Sequence, residues 1–158
     1  MRAILGGTPR SLLAAWTEVF LDRVLERGLR PGALKAIERH RTAGHRLVMV
    51  TASLDSHAEP LSRRLGFDVV LCTRAAYDAE GRVTGALDGE NCYGEGKLRR
   101  VQRYLAEATA GLPIVCYSDH HADLPLLGFA TEPVAVNPSR RLKRVALRQG
   151  ITIENWNR

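Results

Sequence analysis

Long apolar runs are missing from this chain of 158 residues. Nothing approaches the roughly 18 consecutive apolar residues that a membrane-spanning helix needs. The opening Met1-Arg2-Ala3-Ile4-Leu5-Gly6-Gly7 lacks the length of a secretory signal, so the expected compartment is the cytoplasm. Cysteine is scarce: Cys72, Cys92 and Cys116 are odd in number, widely spaced and outside any C-x-x-C or Cys/His cluster. That spacing indicates neither a disulfide framework nor a zinc site, and buried free thiols are the expectation. Aromatics are few, at 6%. None is interleaved with the basic run Arg140, Arg141, Lys143 and Arg144, so stacking on nucleic-acid bases has no support despite a net charge of +6. That run reads as a solvated helix face. Internal repeats, low-complexity tracts and Ser/Pro-rich linkers are absent as well. The length favours one domain, large enough to bury a sizeable core.

What is present is a regular alternation of helical and strand-like segments. Thr8-Pro9 followed by Leu12, Leu13, Trp16, Val19, Phe20 and Val24 reads as an amphipathic helix, with Thr8 as cap, Pro9 in the first turn and Gly28 as stop. Pro31 opens a second helix that ends at Gly44. The nearly continuous apolar run 46–51 has the signature of a strand buried on both faces. A helix over 56–65, a strand over 67–72 and a hairpin with a Gly turn over 77–85 follow. A helix over 95–109, a buried strand over 113–117, a short helix near Leu124, a strand over 133–136, a helix from Ser139 and a strand over 151–153 complete the chain. Strands alternating with helices imply an α/β fold with a doubly wound parallel sheet.

Ligands of such sheets sit beyond the carboxyl ends of the strands. That rule draws attention to Thr51-Ala52-Ser53, to Ser118 through Asp123, and to Asn137. Asp119 and Asp123 bracket a strand-to-helix turn, where two carboxylates can hold a hard cation; Mg²⁺ takes one or two of them plus phosphate oxygens. The plainer use of Asp123 is to cap the helix that follows, which would not require Asp119. His120 and His121 point in different directions as chain neighbours and read as exposed turn residues rather than as a metal pair. Thr51-Ala52-Ser53 offers hydroxyls and backbone N–H groups of the kind that cradle phosphate at a helix start, though ordinary capping by Thr51 or Ser53 explains them too. Lys97, in Gly94-Glu95-Gly96-Lys97, stands in the first turn of a helix, where a cation is disfavoured by the dipole. The segment is not a P-loop, since Asn91 and Leu98 break that pattern. Neutralising a phosphate is one task that would justify the placement.

Together these residues resemble the haloacid dehalogenase (HAD) superfamily, in particular its phosphoserine-phosphatase-like subfamily IB. The segment Val48-Met49-Val50-Thr51-Ala52-Ser53 is similar to the family's second motif, Asn91-Cys92-Tyr93-Gly94-Glu95-Gly96-Lys97 to the third, and Tyr117-Ser118-Asp119-His120-His121-Ala122-Asp123-Leu124-Pro125-Leu126-Leu127 to the fourth. Val134-Ala135-Val136-Asn137-Pro138 looks like the family's tail signature. Lys97 lies 46 positions after Thr51, and Asp119 lies 22 after Lys97. The similarity runs from about Pro31 to the end. It implies a HAD-like Rossmannoid core over 31–158, with 1–30 as the C-terminal remnant of a helical cap. It also implies that Thr51 and Lys97 are catalytic, that Thr51, Ala52, Ser53 and Lys97 bind phosphate, and that Asp119 with its supporting carboxylate Asp123 holds Mg²⁺. The implied activity is hydrolysis of a small phosphorylated metabolite.

The family's first motif, D-x-D-x-[TV], supplies the nucleophilic Asp and the general acid/base, and no D-x-D occurs in this sequence. Asp78-Ala79-Glu80 and Asp88-Gly89-Glu90 have the carboxylate spacing but follow the second motif. Without an acceptor carboxylate, covalent phosphoryl transfer has no nucleophile. The segment that carries this motif also holds the central strand, so 46–51 and 113–117 are expected to lack their shared neighbour, which makes self-association plausible. Three readings compete. The first is a HAD phosphomonoesterase represented by a truncated, inactive chain. The second is a catalytically dead relative that binds phosphorylated ligands or a protein partner, and the third, resting on charge alone, is a nucleic-acid-binding module.

Overall fold

Helix α1 spans Arg10–Arg23 and runs on as one π-helical turn, Val24–Gly28. Its positions Leu13, Thr17 and Leu21, spaced one turn apart, point inward and are buried. Leu12, Trp16, Val19 and Phe20 form a second apolar stripe that stays exposed. The start of α1 differs from expectation. Pro9, not Thr8, occupies the cap position, and no side chain caps the helix. Residues 7–10 are instead drawn against a hairpin: Gly7 N donates to Val83 O at 2.8 Å, Val83 N to Thr8 O at 2.9 Å, and Arg10 N to Gly81 O at 3.0 Å. This pairing is long-range, so the local capping pattern gave no sign of it.

The structure is a computed structural model, which describes residues 5–108 and 111–157. The expected helix end at Thr109 lies outside those residues. The chain forms two compact units, Met1–Leu29 with Arg39–Cys92, and Arg30–Glu38 with Tyr93–Arg158. Helix α2, Pro31–Thr42, contributes to both.

In the first unit, β1 (Val48–Leu54), α3 (Asp55–Leu65) and β2 (Val69–Thr73) make a parallel β–α–β unit in which Val48 faces Val69 and Val50 faces Leu71. The register shifts between Val50 and Leu54. Strands β3 (Ala75–Tyr77) and β4 (Val83–Leu87) pair antiparallel around a turn in which Gly81 adopts φ +72°, a backbone state that glycine enters without steric cost.

In the second unit, α4 (Glu95–Ala108) leads to β5 (Val115–Ser118), and a 3₁₀ turn (His121–Asp123) opens into α5 (Leu124–Phe129). Then come β6 (Glu132–Val136), α6 (Arg140–Gln149) and β7 (Thr152–Glu154). The three strands form a parallel sheet in the order β5-β6-β7. Leu127, Ala135, Leu142 and Ala146 are fully buried at its centre, with Cys116, Leu124 and Ile151 packed against them. Ser139 caps α6 by accepting from Leu142 N. Parallel strands joined through helices make this the doubly wound α/β fold that the alternation implied.

The buried-on-both-faces expectation for β1 and β5 does not hold. Every residue of β5, and Val48, Met49 and Val50 of β1, is only half-buried. Among the described residues β1 pairs only with β2 and β5 only with β6, so one edge of each strand has no strand beside it. The three cysteines are free thiols, as expected, with Cys72 and Cys92 buried but Cys116 only half-buried. Among the described residues no helix is long and apolar enough to cross a membrane.

Candidate phosphate-handling site

In the second unit, the strand end and the following 3₁₀ turn place Ser118, Asp119 and Asp123 within one short stretch. Asp123 is buried, at 7% exposure. Its Oδ2 accepts from Lys97 Nζ at 2.8 Å and from Ser118 Oγ at 2.7 Å. The Lys97 and Asp123 side chains are 13% and 10% exposed, so the ion pair is sheltered from solvent. Charge-assisted bonds of this kind are stronger than neutral ones. They also account for Lys97 in the first turn of α4: its ammonium is spent on Asp123 rather than left against the helix dipole. Asp123 holds the residue position before α5 but caps nothing with its side chain, which removes the simpler explanation of that carboxylate. Cys116, on the same strand as Ser118, has its thiol pushed up to about 12, first by burial and then by the Asp123 charge, with Lys97 opposing. It stays a neutral thiol at neutral pH.

Asp119 is exposed. Its backbone oxygen accepts from Ser139 N at 2.8 Å, while its carboxylate has no partner among the described residues. Mg²⁺ prefers oxygen donors and keeps several waters, binding through one or two carboxylates and phosphate oxygens. Asp119 fits such an ion as a single protein ligand. The Oδ2 of Asp123 is already bound by Lys97 and Ser118. No group of three or more His, Cys, Asp or Glu residues gathers among the described residues. The two histidines depart from expectation: their rings lie 4.2 Å apart, tilted by 42°, rather than diverging. His120 Nδ1 accepts from Ala122 N at 3.2 Å and so caps the 3₁₀ turn. His121 is made a weaker base by desolvation and by the neighbouring His120 and Arg141.

In the first unit, Thr51 is half-buried and Ala52 and Ser53 are exposed. Thr51 Oγ1 accepts from Ser53 N at 3.1 Å. Neither hydroxyl caps α3, whose cap position is Leu54. The three residues lie within β1, at the shift in register, and not in a helix-start loop. Further along, Cys92 N and Asn91 are tied to Thr73 Oγ1 at 3.0 and 2.9 Å.

Sequence reasoning gave Ser118 no role, although a hydroxyl directly before Asp119 at a strand end was a usable signal. Asn137, in contrast, is occupied structurally. It adopts φ +42°, its Nδ2 donates to Asn155 Oδ1 at 2.9 Å, and its Oδ1 accepts from Trp156 N at 2.9 Å. It staples the exit of β6 to the segment after β7.

The profile of the haloacid dehalogenase-like hydrolase family matches residues 1–128. The chain belongs to this family. Among similar proteins, a Streptomyces azureus inhibition-of-morphological-differentiation protein is 35% identical over 80% of this chain and 46% of its own length. A phosphoserine phosphatase of Mycobacterium tuberculosis is 30% identical over 98% of this chain and 50% of its own. A histidinol-phosphatase of Neisseria meningitidis is 28% identical over 91% of this chain and 67% of its own. The chain thus spans about half to two-thirds of the length of these relatives. A solved structure of a Bordetella pertussis protein of unknown function is 33% identical, with TM-score 0.84 over 91% of this chain and 66% of that one. A phosphoserine phosphatase solved as a phospho-aspartyl intermediate analogue shares the HAD fold at 18% identity, with TM-score 0.69.

Proposed function

We propose that this HAD chain carries the phosphate- and metal-holding part of a Mg²⁺-dependent phosphomonoesterase that acts on small phosphorylated metabolites. The sheltered Lys97–Asp123–Ser118 cluster next to the exposed Asp119 is the observation that supports it. Asp123 acts as a positioning residue: it orients the Lys97 ammonium, and Ser118 satisfies the same oxygen. Within the second unit Lys97 is the group for the phosphoryl oxygens; in the first unit the Thr51 hydroxyl, with the Ala52–Ser53 backbone beside it, is the phosphate-binding segment that the family resemblance implies. Asp119 is the protein ligand for Mg²⁺, which when bound neutralises charge on the phosphate. The names of the phosphatase relatives, for phosphoserine and histidinol phosphate, support small phosphate monoesters as the substrate class.

The residues present bind rather than react. Electrostatic cradling without an acceptor carboxylate lowers the energy of bound phosphate but opens no covalent route. The chain itself is therefore expected to show no turnover. That same lack of D-x-D supports a second reading, a HAD-like protein that binds phosphorylated ligands or a protein partner without hydrolysis. An aryl-phosphate assay with Mg²⁺ tests whether these residues include a nucleophile. No release of the phenol is expected, whereas turnover that disappears in Asp119→Ala would show a nucleophile among these residues and overturn the assignment.

A further inference from the structure

Helix α6 carries Arg140, Arg141, Lys143, Arg144 and Arg148 and no acidic residue. The chain holds no Asp or Glu anywhere between Glu132 and Glu154. Each of α1 to α4 mixes the signs, with Glu18 and Asp22 in α1, Glu38 in α2, Asp55 and Glu59 in α3, and Glu95 and Glu107 in α4. The cations of α6 are all exposed, and none forms an ion pair or a side-chain hydrogen bond with a described residue. Arg144 stands one turn from Arg140 and one turn from Arg148, a spacing at which like charges destabilise a helix. Arg140 and Arg141 also occupy a first turn that holds no acid, where the helix dipole disfavours a cation. The helix thus carries a repulsion that nothing on it offsets and that a negative surface would relieve.

A separate observation says what kind of surface. Leu142 and Ala146 turn inward and are fully buried in the core of the second unit. The helical period then puts Arg140, Arg144 and Arg148 on the outward side, with Arg141 and Lys143 at its flanks. Leu147 lies on this cationic side, one turn from Lys143 and Arg144. At 68% exposure it is the most exposed large apolar side chain among the described residues. A nucleic-acid backbone has no use for that leucine. A folded protein partner calls for a groove or for cations already fixed in place, and a convex helix with unpaired, flexible side chains offers neither. A bilayer with anionic headgroups uses both features: its diffuse negative charge attracts the cations, and the boundary between headgroups and acyl chains accepts the leucine. Such docking requires no membrane-spanning segment.

We propose that the outer face of α6 docks this protein peripherally onto anionic phospholipid membranes, with Arg140, Arg144 and Arg148 against the headgroup phosphates and Leu147 reaching below them. Arg141 and Lys143 add to the attraction from the two flanks. The face shares no residue with Thr51, Lys97, Asp119 or Asp123, so it is independent of the phosphate reading.

The test is co-sedimentation of the full chain with sucrose-loaded vesicles of phosphatidylcholine, alone or mixed with phosphatidylglycerol, alongside binding to a nucleic-acid duplex. Binding to the mixed vesicles, none to phosphatidylcholine alone, and release at high salt are expected. Arg144→Gln and Arg148→Gln should each weaken vesicle binding about fivefold. Lys35→Gln makes the same charge change at an exposed position of α2 and should weaken it far less. Leu147→Gln should weaken vesicle binding about fivefold and leave any duplex binding unchanged. Arg144→Gln removes like-charge neighbours and should not lower the Tm, so its loss of binding is read apart from unfolding. No binding to the mixed vesicles would overturn the proposal, and duplex binding in that case would assign the face to nucleic acid. Equal weakening by Lys35→Gln and Arg144→Gln would overturn it too, since net charge alone would then be at work. So would vesicle binding indifferent to Leu147→Gln. Lys97→Met is expected to leave vesicle binding intact, so loss of phosphate binding and loss of this face are read separately.

Discussion

Lys97 and Arg64 are both cations held by acidic partners, one inside the protein and the other on its surface. Lys97 and Asp123 are 13% and 10% exposed and meet at 2.8 Å in the second unit. Arg64, in the first unit, is 33% exposed and is gripped by Glu18 and by Asp22 at 2.6 Å, which are themselves 56% and 65% exposed. Two partners on the surface raise the Arg64 pKa, the Asp22 hydrogen bond most of all, yet water screens what they achieve. One partner in the interior fixes a side chain in place. The contrast teaches that the number of partners says little here, and that shelter from water separates an ion pair that orients chemistry from one that merely decorates a helix face.

Breaking the sheltered pair should have the largest effect. Asp123→Ala leaves the Lys97 ammonium without its partner and is expected to cost about 3–5 kcal/mol of stability, read by denaturant unfolding. The double variant Lys97→Met/Asp123→Leu should recover most of that loss, because no charge remains to be buried. A double variant as unstable as Asp123→Ala would mean that packing, not charge, holds this corner together. Gly32→Ala should follow. A Cβ there would sit 2.6 Å from the Trp156 backbone, in a second unit already closed by Gly32 N donating to Trp156 O at 3.0 Å. A loss of about 1–3 kcal/mol is expected from such overpacking, measured in the same way.

A pH titration sharpens the comparison further. The Cys116 thiol, raised to about 12 from an ordinary 9.0, keeps its proton more tightly folded than unfolded. Its stabilising contribution is complete below pH 9 and drains away as pH rises toward 12. Cys116→Ala is expected to shallow that alkaline limb in a Tm-versus-pH series. Arg64→Ala should do least, moving Tm only at the edge of detection and less still at high salt.

The α/β alternation was legible in the residues because strand and helix periods are local signals, and most elements begin and end within a few positions of where apolar spacing put them. Thr8 was misread as a cap because the pairing of residues 7–10 with Gly81 and Val83 is invisible to a local window. The apolar content of β1 and β5 suggested burial on both faces, but burial also depends on what lies beside a strand, and one edge of each is without a strand neighbour among the described residues. At the candidate site, Lys97, Asp119 and Asp123 were visible through strand-end position and helix-dipole logic. That Asp123 serves Lys97 and Ser118 was not, since those residues are 26 and 5 positions away in sequence. Asn137 looked like a ligand-side residue at a strand end. Its left-handed backbone and its bonds to Asn155 and Trp156 were hidden because asparagine's tolerance of that conformation is a weak signal on its own.

The most direct measurement is a ³¹P NMR titration of orthophosphate with the full chain, with and without Mg²⁺. Binding that requires Mg²⁺, weakens about tenfold or more in Lys97→Met, and is lost in Asp119→Asn even when Mg²⁺ is present is expected. Orthophosphate that does not bind, or that binds equally well to both variants, would contradict the phosphate-handling role of this site.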